Sequence, residues 1–177
     1  AKAALAAGRE PGEIMLLAVS KTKPLADILC ATEAGQAEFG ENYAQEGVDK
    51  MPGVVDHDLS WHFIGPLQSN KTRLVAEHYA WVHSIERLKI AERLSAQRPA
   101  HLPPLQVCVQ INVSGEASKS GCAPDQALAL CQAISTLPGL KLRGLMAIPE
   151  ASDDPAEQCQ PFRQLREIPA SIRAAGV

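Results

Sequence analysis

The feature that most constrains this chain is an alternation. Short apolar runs that read as buried strands are separated, from one end to the other, by longer segments with the apolar spacing of a helix. Residues 2–7 are Ala-rich and helical, Gly8 stops them, and residues 14–19 form an unbroken apolar run suited to a strand buried on both faces. Pro24 opens a helix at a favoured first position, Leu25, Ile28 and Leu29 supply its apolar stripe, and Gly35 ends it. A short strand is expected at 37–39, a helix at 42–50, a loop through Pro52 and Gly53, and a third strand at 61–64 closed by Gly65 and Pro66. Ser69 or Asn70 is placed to cap the next helix, which runs to about His78. Strand four covers 80–85, and Ile90 and Leu94 mark the helix after it. Strand five covers 105–113, a helix 124–136 and strand six 141–148. Residues 156–175 have helical period, with Pro161 and Pro169 expected to interrupt or kink them.

Six βα units with a helix in front can be counted, and no close repeat or low-complexity tract breaks the series. At 177 residues they form a single domain, somewhat above the commonest domain size of about 100–150 residues. Parallel βα crossovers leave two architectures, an open doubly wound sheet or a (β/α)8 barrel. Six units do not by themselves close eight strands. An open sheet normally carries a glycine-rich phosphate loop after its first strand. Ser20-Lys21-Thr22-Lys23-Pro24 stands there without a glycine, which speaks against a dinucleotide site. The start at Ala1 and the stop at Ala-Ala-Gly-Val suggest a chain trimmed at one or both ends.

Charge narrows the partners. Seventeen Lys and Arg against 20 Asp and Glu leave a net charge of −3, so there is no overall basic field for a nucleic acid or an anionic membrane surface. No apolar run approaches the ~18 residues of a spanning helix, and no signal-peptide pattern opens the chain, so a cytoplasmic protein is expected. The five cysteines form no C-x-x-C pair, and reduced thiols fit that compartment. No ligand spacing links the five histidines, so no metal site is expected.

In barrels and open parallel sheets alike, ligands sit beyond the carboxyl ends of the strands. The residues there are polar: Ser20, Lys21 and Lys23 after strand one, and Gly40, Glu41 and Asn42 after strand two. His62, Gly65 and Gln68 belong to strand three, Asn112, Ser114, Lys119 and Ser120 follow strand five, and Met146 ends strand six. These are expected to ring one mouth. Lys21 stands out, because a lysine at the rim of an apolar strand is partly desolvated, which frees its amine to attack a carbonyl. Lys21 and Lys23 read equally well as solvated loop lysines. His62, between Trp61 and Phe63, reads as a core histidine or as a catalytic one. Asn42 reads as a helix cap or as an amide offered to a ligand, and Met146 as core. Cys122 is a lone thiol.

As a set, four segments resemble the YggS/PROSC family of pyridoxal-phosphate homeostasis proteins. They are the Leu17–Pro24 segment L-A-V-S-K-T-K-P, Phe39-Gly40-Glu41-Asn42-Tyr43, the run Trp61-His62-Phe63-Ile64-Gly65-Pro66-Leu67-Gln68-Ser69-Asn70-Lys71, and Arg143-Gly144-Leu145-Met146-Ala147-Ile148. The resemblance covers about 14–148, and the G-P-L-Q-S-N-K run is specific by itself; N-V-S-G-E-A-S-K-S-G at 112–121 is similar to the family's loop after strand five. It implies a (β/α)8 TIM barrel like the N-terminal domain of alanine racemase, with six of its βα units and an N-terminal helix present here. It also implies that pyridoxal 5'-phosphate (PLP) is held as a Schiff base on Lys21, with Asn42, His62 and Met146 as further cofactor-binding residues. Family members continue into a phosphate-holding segment and a strand with an arginine for the pyridine nitrogen. The single domain, 1–177, is therefore expected to lack its last two βα units, about 60 residues.

The expected function is a PLP-binding protein of vitamin B6 homeostasis without significant turnover, monomeric, with PLP-dependent apo-enzymes as partners. The alternative is a PLP-dependent, racemase-like enzyme acting on amino acids. Racemases of this fold need an opposing tyrosine from a second domain, and Tyr43 and Tyr79 are the only tyrosines here. A third reading is a (β/α) enzyme of phosphorylated metabolites that uses Lys21 without PLP.

Overall fold

The computed structural model describes residues 2–114 and 120–174. In chain order the elements are α1 (Lys2–Ala6), β1 (Ala18–Val19), α2 (Leu25–Glu33), β2 (Glu38–Glu41), α3 (Ala44–Lys50), β3 (Ser60–Phe63) and α4 (Thr72–His78). They continue as β4 (Trp81–Ile85), α5 (Leu88–Gln97), β5 (Leu105–Gln110), α6 (Ala127–Ser135), β6 (Leu140–Met146) and α7 (Pro155–Ala174). All neighbouring strands pair in parallel, and their order in the sheet is their order in the chain. A strictly sequential order has no point at which the winding reverses. It is the arc of a barrel and not a doubly wound sheet.

Period-two alternation sorts each strand into two faces. Phe39, Phe63, Val82, Val107 and Val109 are buried in one core with Ile28, Val75, Ile90, Leu94 and Ile134 of the helices. Fully burying each such side chain is worth about 1.5–3 kcal/mol. Interleaved residues such as Glu38, His62, Trp81 and His83 turn to the other face, where His62 stacks on Trp81 with ring centroids 5.2 Å apart. Gly35 takes φ +92° just after α2, a conformation that suits the stop expected there. At the end of α4, the Arg98 guanidinium donates to the carbonyls of Ala76 and Tyr79 at 2.6 and 2.8 Å, a cation placed on a helix carboxyl end.

Four local expectations are corrected. The first strand is two residues long, and Ile14, Met15 and Leu16 are exposed, because β1 pairs with β2 on one side alone among the described residues. Neither Ser69 nor Asn70 caps α4; Lys71 is at the cap without a side-chain bond, and the Thr72 hydroxyl instead donates to the Ser69 carbonyl at 2.9 Å. Asn42 is not a cap either, since Tyr43 precedes α3. Pro161 and Pro169 lie inside the 20-residue α7 without ending it. Each proline removes one donor, and the helix continues on the bonds that remain.

Candidate functional site

The strand register explains which residues meet. Val19 pairs with Gly40, Gly40 with His62, and His62 with Trp81, which makes one layer across β1 to β4. Two residues further toward the carboxyl ends, on the same face, come Lys21, Asn42, Ile64 and His83. On β5 and β6 the paired Gln110 and Met146 reach the same height. These six, with Val19, Pro66, Ser120 and residues 147–149, line a cleft of about 520 Å³ at the carboxyl ends of the strands. Its size is that of a small-molecule site.

Backbone proximity sets the width of this mouth. A Cβ on Gly65 would collide with the Asn42 carbonyl and its Cα, so glycine allows the end of β3 to lie directly against Asn42. The Ser84 hydroxyl donates to the Gly65 carbonyl at 2.6 Å and ties β4 to the same point.

Of the cofactor residues expected from sequence, Lys21, Asn42 and Met146 line the cleft and His62 does not. His62 is fully buried one layer below, as its pairing with Gly40 and Trp81 requires, and His83 takes the place on the wall. The two are joined: His62 Nε2 lies 2.7 Å from Glu38 Oε2, and His62 Nδ1 lies 2.8 Å from His83 Nε2. Burial holds both imidazoles below the ordinary histidine range, His83 at about 4, so both are neutral near pH 7. With the Glu38 carboxylate accepting from His62 Nε2–H, His62 Nδ1 accepts from His83 Nε2–H. His83 Nδ1 is left as a lone-pair acceptor.

Lys21 is exposed, not desolvated as its position in the sequence suggested, since β1 is an outer strand of the sheet among the described residues. Lys23 lines a shallower hollow between β1 and α2, with Asp27 and Ile28, and not the cleft. Glu41, expected at the mouth, falls on the opposite face and is fully buried against Lys50. Gln68 belongs to an adjoining hollow with Tyr43 and Lys71. Ser114 donates to Asn112 Oδ1 at 3.0 Å, and neither lines the cleft. Lys119 lies outside the described residues. Cys122 is buried, which pushes its thiol above the ordinary range and makes it a poor nucleophile. Among the described residues no group of three His, Cys, Asp or Glu could hold a metal ion, and no helix is long and apolar enough to cross a membrane.

Comparison with known proteins places the fold and the family. The family model for the alanine racemase N-terminal domain matches residues 4–177. The pyridoxal phosphate homeostasis protein of Pseudomonas aeruginosa is 61% identical over 94% of this chain and 73% of its own length. The chain belongs to the pyridoxal phosphate homeostasis protein family. A member from Escherichia coli is 56% identical over 97% of this chain and 74% of its own length. The structure of PipY from Synechococcus elongatus with PLP bound is 34% identical, with a TM-score of 0.84 over 98% of this chain and 81% of that one. An alanine racemase from Clostridium difficile, 13% identical with a TM-score of 0.77 over 93% of this chain and 44% of that one, shares the TIM-barrel fold.

The family placement does not by itself pick out His83 or Gln110, which reading strand ends had missed. His83 lies inside β4 and not after it, so residues at strand ends do not include it; the pairing of His62 with Trp81 is what carries His83 to the wall. Nothing in the sequence marked Lys50.

Proposed function

We propose that this chain binds pyridoxal 5'-phosphate in the cleft at the strand ends, with Lys21 as its covalent anchor, and serves vitamin B6 homeostasis by holding the cofactor without significant turnover. The observation that carries this reading is the chemistry of the lining. One amine, Lys21, stands among flat apolar walls (Val19, Ile64, Pro66 and Met146) and neutral hydrogen-bonding groups (Asn42, His83, Gln110 and Ser120). That set fits an aromatic aldehyde with polar ring substituents. When bound, the cofactor supplies an electrophilic carbonyl and an electron-withdrawing ring. Lys21 provides the nucleophilic amine, Asn42 an amide for a ring substituent, His83 an acceptor nitrogen, and Met146 an apolar contact. His62 supports the cofactor indirectly, by fixing which nitrogen of His83 carries its proton.

Two observations favour a holder over a racemase. The Tyr79 hydroxyl is buried, donates to the Ala44 carbonyl at 3.1 Å, and is pushed well above the ordinary tyrosine range by burial, so it is a poor acid or base. Tyr43 borders the adjoining hollow and not the cleft. Delivery to PLP-dependent apo-enzymes belongs to this proposal.

The test is an absorption spectrum of the protein mixed with PLP, followed by borohydride reduction and peptide mass mapping. A visible band, and a pyridoxyl adduct on Lys21, are expected. An adduct on Lys23, or a Lys21→Ala protein that still carries PLP covalently at one site, overturns the assignment, and a protein that takes up no PLP favours a (β/α) enzyme that uses Lys21 without it.

A further inference from the structure

A partly buried ionic cluster lies behind the β1 loop, on the face of the sheet away from the cleft, and the proposed function makes no use of it. Lys50, at the end of α3, sends its ammonium to three acceptors: the Ser20 carbonyl at 2.8 Å, Glu41 Oε1 at 2.8 Å and Glu46 Oε1 at 2.7 Å. An ammonium has three protons, so this one is fully used. The lysine side chain is 11% exposed and the Glu41 side chain fully buried. The same carboxylate oxygens reach the loop directly. Glu41 Oε1 accepts from the Ser20 hydroxyl at 2.7 Å, and Glu46 Oε1 accepts from the Thr22 backbone N–H at 2.6 Å.

The residues held are those on either side of Lys21, from one carbonyl, one hydroxyl and one amide. Thr22 needs the hold, because it has φ +61°, the one non-glycine residue in the left-handed region among the described residues. A β-branched side chain is disfavoured there, and such a conformation persists when its surroundings over-determine it. Without the anchor the loop would relax, and Lys21 would be free to leave the wall on which Val19 and Asn42 stand.

We propose that Lys50, Glu46 and Glu41 form a clamp that positions Lys21 at the cleft and so directs the cofactor to that lysine and away from Lys23. The inference rests on Lys21 being the anchor. The step concerned is addition of the Lys21 amine to the aldehyde carbon, with C=N replacing C=O and water leaving. Borohydride then delivers hydride to that carbon and solvent a proton to the nitrogen. Lys50, Glu46 and Glu41 touch neither reacting atom and act through the backbone. Lys50 also holds its proton firmly. Burial opposes its charge, but the hydrogen bonds and charges of Glu41 and Glu46 outweigh burial and raise it above the ordinary lysine range.

The experiment compares wild type with Lys50→Met, Glu46→Ala and Glu46→Gln. It measures the rate of borohydride-trapped PLP adduct at Lys21 and at Lys23, and amide hydrogen exchange at Thr22 without PLP. Glu46→Gln keeps an oxygen that accepts from Thr22 N–H and should stay close to wild type. Glu46→Ala and Lys50→Met should trap at Lys21 about ten- to a hundred-fold more slowly, the usual penalty of a misaimed reactant. Lys23 should trap at its former rate, and Thr22 exchange should speed up. If Lys50→Met fails to fold, Glu46→Ala carries the comparison, since Glu46 is partly exposed. Folded variants with Lys21 trapping and Thr22 exchange within two-fold of wild type overturn the clamp. A wild-type adduct elsewhere than on Lys21 overturns the reading of the site and the directing role with it, and is recognised by the wild-type map alone.

Discussion

His83 shows how one side chain couples the site to stability. Burial, aided by neighbouring His62, lowers its proton affinity from an ordinary 6.5 to about 4. Between those values the unfolded chain binds a proton that the folded chain refuses, so stability falls as pH drops from 6.5 toward 4. Melting temperatures across that range should decline less steeply for His83→Asn than for wild type; parallel curves would remove His83 from the account. Glu46 acts in the same direction at lower pH. The hydrogen bond from Lys50 holds its carboxyl below the ordinary 4.5, so its contribution is present above that value and is lost as pH falls through the lowered one. Protection of the Thr22 amide should therefore persist through neutral pH and disappear in acid, which exchange measured against pH will show.

At the level of elements, α3 and α4 meet through a small residue and a large one. A Cβ on Gly47 of α3 would collide with the hydroxyl of Tyr79, which follows α4. Gly47→Ala should then cost about 1–3 kcal/mol by overpacking. Tyr79→Phe alone should cost about 1 kcal/mol, for the lost bond to the Ala44 carbonyl. Because the phenylalanine also removes the atom that obstructs the new methyl group, the double variant should lose less than the two single losses together. Urea unfolding of the four proteins measures this, and strict additivity would mean that the hydroxyl is not the obstacle. In α5 the buried face is plain, and Ile90→Ala or Leu94→Ala should each cost about 2–5 kcal/mol.

The described residues form an arc with two outer strands, each paired on one side. Beside β1 lie the exposed Ile14, Met15 and Leu16, an apolar edge of the kind that associates. Leu16→Lys should reduce light scattering of concentrated protein without lowering the melting temperature; unchanged scattering would acquit this edge. Barrels commonly hold phosphate with the loops after strands seven and eight. A chain carried to the full length of its P. aeruginosa relative, of which this one spans 73%, is therefore expected to bind PLP more tightly and to melt higher. Equal affinity and stability would make these six units sufficient. Racemisation of L-alanine or L-serine should not exceed a free-PLP control, because neither tyrosine lines the cleft opposite Lys21 among the described residues.

Strand and helix order were legible along the chain because apolar period is a local property, and period-two and period-3.6 runs differ over a few residues. The family was legible too, in the G-P-L-Q-S-N-K run and the residues around Lys21. Lys21, Asn42 and Met146 were placed at strand ends by the same local logic, and all three line the cleft. Tertiary structure decided what depends on register and on facing sides. His62 pairs with Gly40 and Trp81, which sinks it one layer and gives the wall to His83. Glu41, one residue from Asn42, turns to the other face and meets Lys50 nine positions on. The exposure of the 14–16 run followed from strand neighbours, since an apolar segment is buried only where another element covers it, and pairing between strands is not written in either strand alone.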